Sequence, residues 1–102
     1  MEKQRCVKMD DIMKNMLIHS LRMVFREEKE KGLSTDVTRD FVLKLAYYEQ
    51  PRLFLTDVEH KKAIEALNML RNSFIAAGRY TDGIDTIFLK ILQAKYKRCK
   101  VR

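Results

Sequence analysis

Two histidines and two cysteines are the residues of this chain best suited to hold a metal, and their spacing argues against it. A structural zinc site draws four such ligands around one ion, usually from pairs a few residues apart. Cys6 and His19 are 13 positions apart, which on one continuous helix is about 20 Å. No CxxC, HxxxH or HExxH spacing occurs, so neither a metal nor any other cofactor is expected. His19 falls on the polar arc of a helix and His60 in the first turn of another, where both read as ordinary, partly exposed side chains. Cys6 and Cys99 read as free thiols of a reducing compartment, and a disulfide between them would require the two chain ends to meet.

Acid–base catalysis needs two carboxylates held in different environments. The clusters Asp10-Asp11 and Glu27-Glu28-Glu30 lie instead near expected helix ends, among lysines and arginines, and read as solvated faces. Ser20, Ser34 and Ser73 have no base close in sequence, and Gly32, Gly78 and Gly83 are too isolated to form a phosphate loop. The expectation is a protein that is not an enzyme.

The stretch KYKRCKVR, residues 95–102, is more informative, with five cations in eight positions. The net charge is +7, and residues 1–9 carry +2 and residues 79–102 carry +5, so the excess sits at the two ends. Cations near a helix C-terminus offset the helix dipole, which accounts for one or two per end but not for this number. Clustered lysine and arginine gain affinity for phosphates by releasing counterions, so DNA or RNA is the expected partner. The candidate contacts are Lys90, Lys95, Tyr96, Lys97, Arg98, Lys100 and Arg102, joined by Arg5 and Lys8 from the other terminus, with Tyr96 able to stack on a base.

A second class of function rests on methionines. Met9, Met13 and Met16, with Leu17 and Val24, lie on an apolar helix face that spreads over about 240°. Such a face must be covered on two sides, by the chain's own bundle or by another chain. Adaptable methionine surfaces suit protein partners, so an inhibitor, adaptor or immunity-type factor is the alternative, and a homodimer would join the two readings.

Positioning these residues requires a small helical scaffold. A chain of 102 residues fits one domain. Periodicity predicts helices from about Arg5 to Lys31, from the Ser34-Thr35-Asp36 cap to about Glu49, from the Thr56/Glu59 capping box to Gly78, and from Thr81 or Asp82 onward. Short connections make these antiparallel neighbours. The expected fold is therefore an all-α, single-domain bundle of about four helices over residues 1–94, followed by a basic C-terminal tail over 95–102. Arg52-Leu53-Phe54-Leu55 reads as a packed loop, having no obvious partner strand. The minor alternative is a winged helix-turn-helix with a hairpin near 78–90, prompted by Asp82-Gly83. Lys95 and Arg98 would fall on the buried face of a continuing helix, so helix 4 must leave the core near Ala94. No internal repeat is apparent. The start of the chain is polar and no apolar run could span a bilayer, which suggests a cytoplasmic protein.

Overall fold

Asp10 separates two kinds of backbone that periodicity alone had merged. In the computed structural model, which describes residues 3–98, the elements are β1 (Lys3–Lys8), α1 (Asp11–Glu30), α2 (Asp36–Ala46), β2 (Arg52–Leu55), α3 (Asp57–Ala76), α4 (Asp82–Leu92) and β3 (Lys95–Arg98). The chain is thus mostly helical with a small three-stranded sheet, rather than all-α. The first helix does not begin at Arg5. Asp10 is extended, and its carboxylate accepts a hydrogen bond from the Met13 N–H at 2.8 Å, which caps α1 and leaves the preceding residues as a strand.

The sheet is antiparallel in the order β2-β1-β3, so the N-terminal strand is central. Arg52–Leu55, expected as a loop, finds its partner in β1. Helix 4 ends at Leu92, two residues before the expected exit, and the chain then pairs Lys95–Arg98 with β1. The reason given for that exit, the cost of burying unpaired cations, also favours the strand, which leaves Lys95 exposed. Residues 82–92 are helical, which removes the hairpin of the alternative reading.

The two halves of the molecule repeat. Asp11 and Glu30, Asp36 and Ala46 bound the first two helices; Asp57 and Ala76, Asp82 and Leu92 bound the next two, each 46 residues later. The same offset relates the N-caps Asp10 and Thr56, and Gly32 and Gly78, whose φ values are +70° and +71°. It relates the buried Thr38, Phe41 and Leu45 of α2 to Ile84, Ile87 and Ile91 of α4. Eleven positions carry the same residue at this spacing: Gln4/Gln50, Asp11/Asp57, Ile18/Ile64, Leu21/Leu67, Met23/Met69, Gly32/Gly78, Thr35/Thr81, Asp36/Asp82, Leu43/Leu89, Lys44/Lys90 and Arg52/Arg98. The expectation of no internal repeat is therefore corrected. A β-α-α unit occurs twice, and its two strands pair about Val7 and Leu53, which are themselves equivalent. That pairing is the one a two-fold axis would produce.

Local physics closes each unit. After α1, the Leu33 N–H reaches the Glu28 carbonyl at 2.8 Å; after α3, the Arg79 N–H reaches that of Phe74 at 2.9 Å. Each is the long bond of a helix-ending turn that needs a left-handed residue, here glycine. The capping box is formed as expected, with the Glu59 N–H on Thr56 Oγ1 and the Thr56 N–H on the Glu59 carboxylate.

α1 packs across α3 and α2, and α3 also packs on α4. Ala63 and Ala66 of α3 and Leu17 and Leu21 of α1 are all fully buried. The chain's own elements thus cover much of the broad apolar face of α1, while Ile12 stays exposed. Met9, Met13, Leu17 and Val24 are buried in the chain's own core, and Met16, half-buried, packs against it, which leaves little of this face for a protein partner or a second copy.

One buried site is polar. Glu28, expected on a solvated face, is buried and accepts hydrogen bonds from Thr38 Oγ1 at 2.6 Å and Lys62 Nζ at 2.8 Å. Lys62 also meets Glu65 at 2.9 Å. Burial alone would raise the Glu28 pKa; the bonds from Lys62 and Thr38 outweigh it and hold the carboxyl below its ordinary value. The three side chains tie α1, α2 and α3 together.

Candidate nucleic-acid interface

Strand register decides which cations share a face. Val7 stands opposite Leu53 and Arg5 opposite Leu55, and Val7, Leu53 and Leu55 are buried on the helix-covered side. Side chains alternate along a strand, and cross-strand partners point the same way. Cys6, Lys8, Arg52, Phe54 and Lys95 therefore occupy the other side, with Lys8 opposite Arg52 and Cys6 flanked by Phe54 and Lys95. Lys8, Arg52 and Lys95 are exposed, while Cys6 and Phe54 are half-buried. Phe54 is not among the side chains packed on the core. No described element covers this outer face.

The face is basic. None of its strand residues is acidic, and Lys8, Arg52 and Lys95 enter no ion pair among the described residues. Several cations elsewhere on the molecule are already engaged. Lys62 is held by Glu28 and Glu65, Arg71 by Asp85 at 2.7 Å, and Lys44 by Glu59 at 2.9 Å.

The two edges of the sheet differ. On β2, the Phe54 N–H donates to the Tyr48 hydroxyl at 3.3 Å, that hydroxyl donates to the Arg52 carbonyl, and Lys44 Nζ donates to the Phe54 carbonyl at 2.6 Å. The outer edge of β2 is thus capped by α2 and the loop after it. These bonds also fix the lysine-bearing strand in place, because they leave Leu53 and Leu55 to pair with β1.

Arg5 and Tyr96, both expected to touch nucleic acid, are opposite each other on the inner side of the sheet and bind one another. The guanidinium lies 4.4 Å from the Tyr96 ring centre, donates to the Ala94 carbonyl at 2.9 Å, and places Nε 3.8 Å from the Asp57 carboxylate. The Tyr96 hydroxyl donates to Asp57 at 2.6 Å, and that bond, with burial second, raises the phenol pKa above its ordinary value. These contacts dock β3 on the start of α3. His60, expected to be partly exposed, is buried there, its Nε2 2.7 Å from the Ile91 carbonyl.

Of the remaining candidates, Lys97 and Arg98 take register positions opposite Gln4 and Lys3. Lys90 is exposed on the last turn of α4, off the sheet. Lys100 and Arg102, and any pairing of Cys6 with Cys99, lie outside the described residues. The sheet thus brings the N-terminal Lys8 and the C-terminal Lys95 onto one face. Arg52, which sequence alone offered only as an additional phosphate contact, belongs to that face as well, and so does Phe54, which was not among the candidates. Their signal was the alternation of Arg52-Leu53-Phe54-Leu55, legible only once a partner strand is known.

Among the described residues no three His, Cys, Asp or Glu side chains converge to hold a metal, and no helix is long and apolar enough to cross a membrane. Comparison with protein-family models, curated proteins and solved structures finds no match to this chain.

Proposed function

We propose that this is a non-enzymatic accessory or regulatory protein of the cytoplasm that binds nucleic acid through the outer face of its sheet. The observation that carries the reading is the grouping of Lys8, Arg52 and Lys95, exposed and without ion pairs among the described residues, on a face whose described strand residues include no carboxylate. Surface cations with no carboxylate partner are the ones free to displace counterions from a phosphate backbone. A charge cluster that served solubility alone would gain nothing from being gathered onto one uncovered face. Lys97 and Arg98 of β3, and Lys100 and Arg102 beyond it in sequence, extend the same reading.

The protein-partner alternative drew its support from the Met-rich side of α1, and that side is interior. The nucleic-acid reading is therefore the one we carry forward.

Binding of a labelled oligonucleotide pool, followed by fluorescence anisotropy at several salt concentrations, tests it. Affinity should fall steeply with salt. Each of Lys8→Glu, Arg52→Glu and Lys95→Glu should weaken binding and lower the logarithmic salt slope by about 0.7–0.9. A salt-independent curve, or variants that bind as the unsubstituted protein does, would refute the proposal.

A further inference from the structure

We infer that the outer sheet face takes an unpaired strand of nucleic acid and stacks one of its bases on Phe54. This rests on the nucleic-acid reading above and specifies its ligand.

The argument begins with Phe54 itself. A phenylalanine in a four-residue strand whose neighbours Leu53 and Leu55 are fully buried faces away from the core, where burial gives it no comparable gain. It is flanked on its own face by Cys6 across one strand and by Lys95 beyond it. Arg52 lies two residues along β2, and Lys8 stands beside Arg52. Residues two apart along a strand are separated by about 6.7 Å, and residues two strands apart by about 10 Å. Arg52 and Lys95 therefore lie on different sides of the ring, each within the reach of a long side chain. A base laid on the ring would have the phosphates before and after it directed toward these two cations. Exposed aromatic rings set among cations on a sheet are a general means of holding single strands, because every base has a face to stack.

Duplex fits this surface poorly. Three strands span about 15 Å once the half-width of each edge strand is included, against about 12 Å for the major groove of DNA. The helices cover the inner side of the sheet and, through α2, its β2 edge, so no described helix projects from the basic face to enter a groove. In a duplex the bases are already stacked on one another, and Phe54 would have none to receive. The charge on the face selects a polyanion, and the ring at its centre selects one with free bases.

The chain contains no tryptophan, so Phe54→Trp introduces a single fluorescent reporter at the proposed stacking position. Titration with a 12-nucleotide oligothymidine should quench that fluorescence, and a hairpin duplex of equal charge should not. Phe54→Leu, which keeps an apolar side chain, should weaken single-strand binding about tenfold with an unchanged salt slope, and Phe54→Tyr should retain it. Thermal melting of each variant separates a binding loss from unfolding, and the Phe54→Trp signal stands if Phe54→Leu fails to fold. Equal affinity for hairpin and single strand, with Phe54→Leu and Phe54→Trp both silent, overturns the inference and leaves a charge-only surface in keeping with the broader proposal. No binding to either nucleic acid overturns both.

Discussion

Val7 and Leu53 face each other across the β1–β2 pair and occupy the same place in the two β-α-α units. Their pairing joins the halves at the sheet, and the packing of α1 against α3 joins them again in the core. Neither unit buries its apolar face without the other. Unfolding should therefore be one cooperative transition. Leu21→Ala and Leu67→Ala remove equivalent, fully buried side chains. Each should cost about 2–5 kcal/mol with an unchanged urea dependence. Two separate transitions in either variant, by circular dichroism, would show that the halves fold independently.

The helix N-caps offer a comparison within one molecule. Asp10 caps α1 through one bond to Met13, whereas Thr56 caps α3 in a reciprocal box with Glu59. Asp10→Ala and Thr56→Ala should each lose about 1 kcal/mol. Glu59→Ala should lose more than Thr56→Ala, since Glu59 also holds Lys44 at 2.9 Å. Urea midpoints of the three variants check the ranking.

The buried carboxylate sets an acid limit on stability. The Glu28 pKa is lowered in the folded state, since its bonds to Lys62 and Thr38 outweigh burial. Its contribution is thus fully present above the ordinary carboxylate value near 4.5 and is lost as pH falls through the lower folded value. Glu28→Gln should cost about 2 kcal/mol at neutral pH and flatten the loss of stability in that acid range. The Lys62 pKa is raised, because its bonds to Glu28 and Glu65 outweigh burial. Its contribution is present below 10.5 and lost as pH rises beyond that. Melting temperatures across pH 2–7 for the two proteins measure the acid arm.

Features that depend on a few adjacent residues were legible in the sequence. The Thr56/Glu59 box and the start of α4 near Asp82 stand where spacing put them, and Gly32 and Gly78 end helices as expected. What was not legible is non-local. Lys3–Lys8 has no strong strand pattern of its own and becomes a strand because β2 and β3 flank it. The repeat is hidden because core equivalents differ in kind: Leu17 answers to Ala63, and Phe41 to Ile87. Its recurring residues fall largely at helix boundaries, as in Thr35-Asp36 and Thr81-Asp82. Glu28 was the recoverable error, since it follows Met13, Leu17, Leu21 and Val24 along the buried stripe. The platform was half legible: Lys8 and Lys95 were candidates from their place in the charged ends, but Phe54 enters only through register.

The capped edge of β2 yields the last prediction. A free strand edge is a template for pairing with another chain. On β2 the Tyr48 hydroxyl serves both the Phe54 N–H and the Arg52 carbonyl, and Lys44 serves the Phe54 carbonyl. Tyr48→Phe keeps the ring, which packs on the core, and removes only the hydroxyl. The N–H and one carbonyl then face outward together, in the arrangement an incoming strand would recognise. The loss of stability should be about 1 kcal/mol. The larger effect should be on association, with light scattering that rises with protein concentration more steeply than for the unsubstituted protein. Lys44→Met in the same background should add to it by releasing the second carbonyl. Because Arg52 and Phe54 carry the capped groups, nucleic acid bound across the outer face should suppress this association. A Tyr48→Phe protein as monodisperse as its parent would mean that solvent closes the edge as well as the tyrosine does.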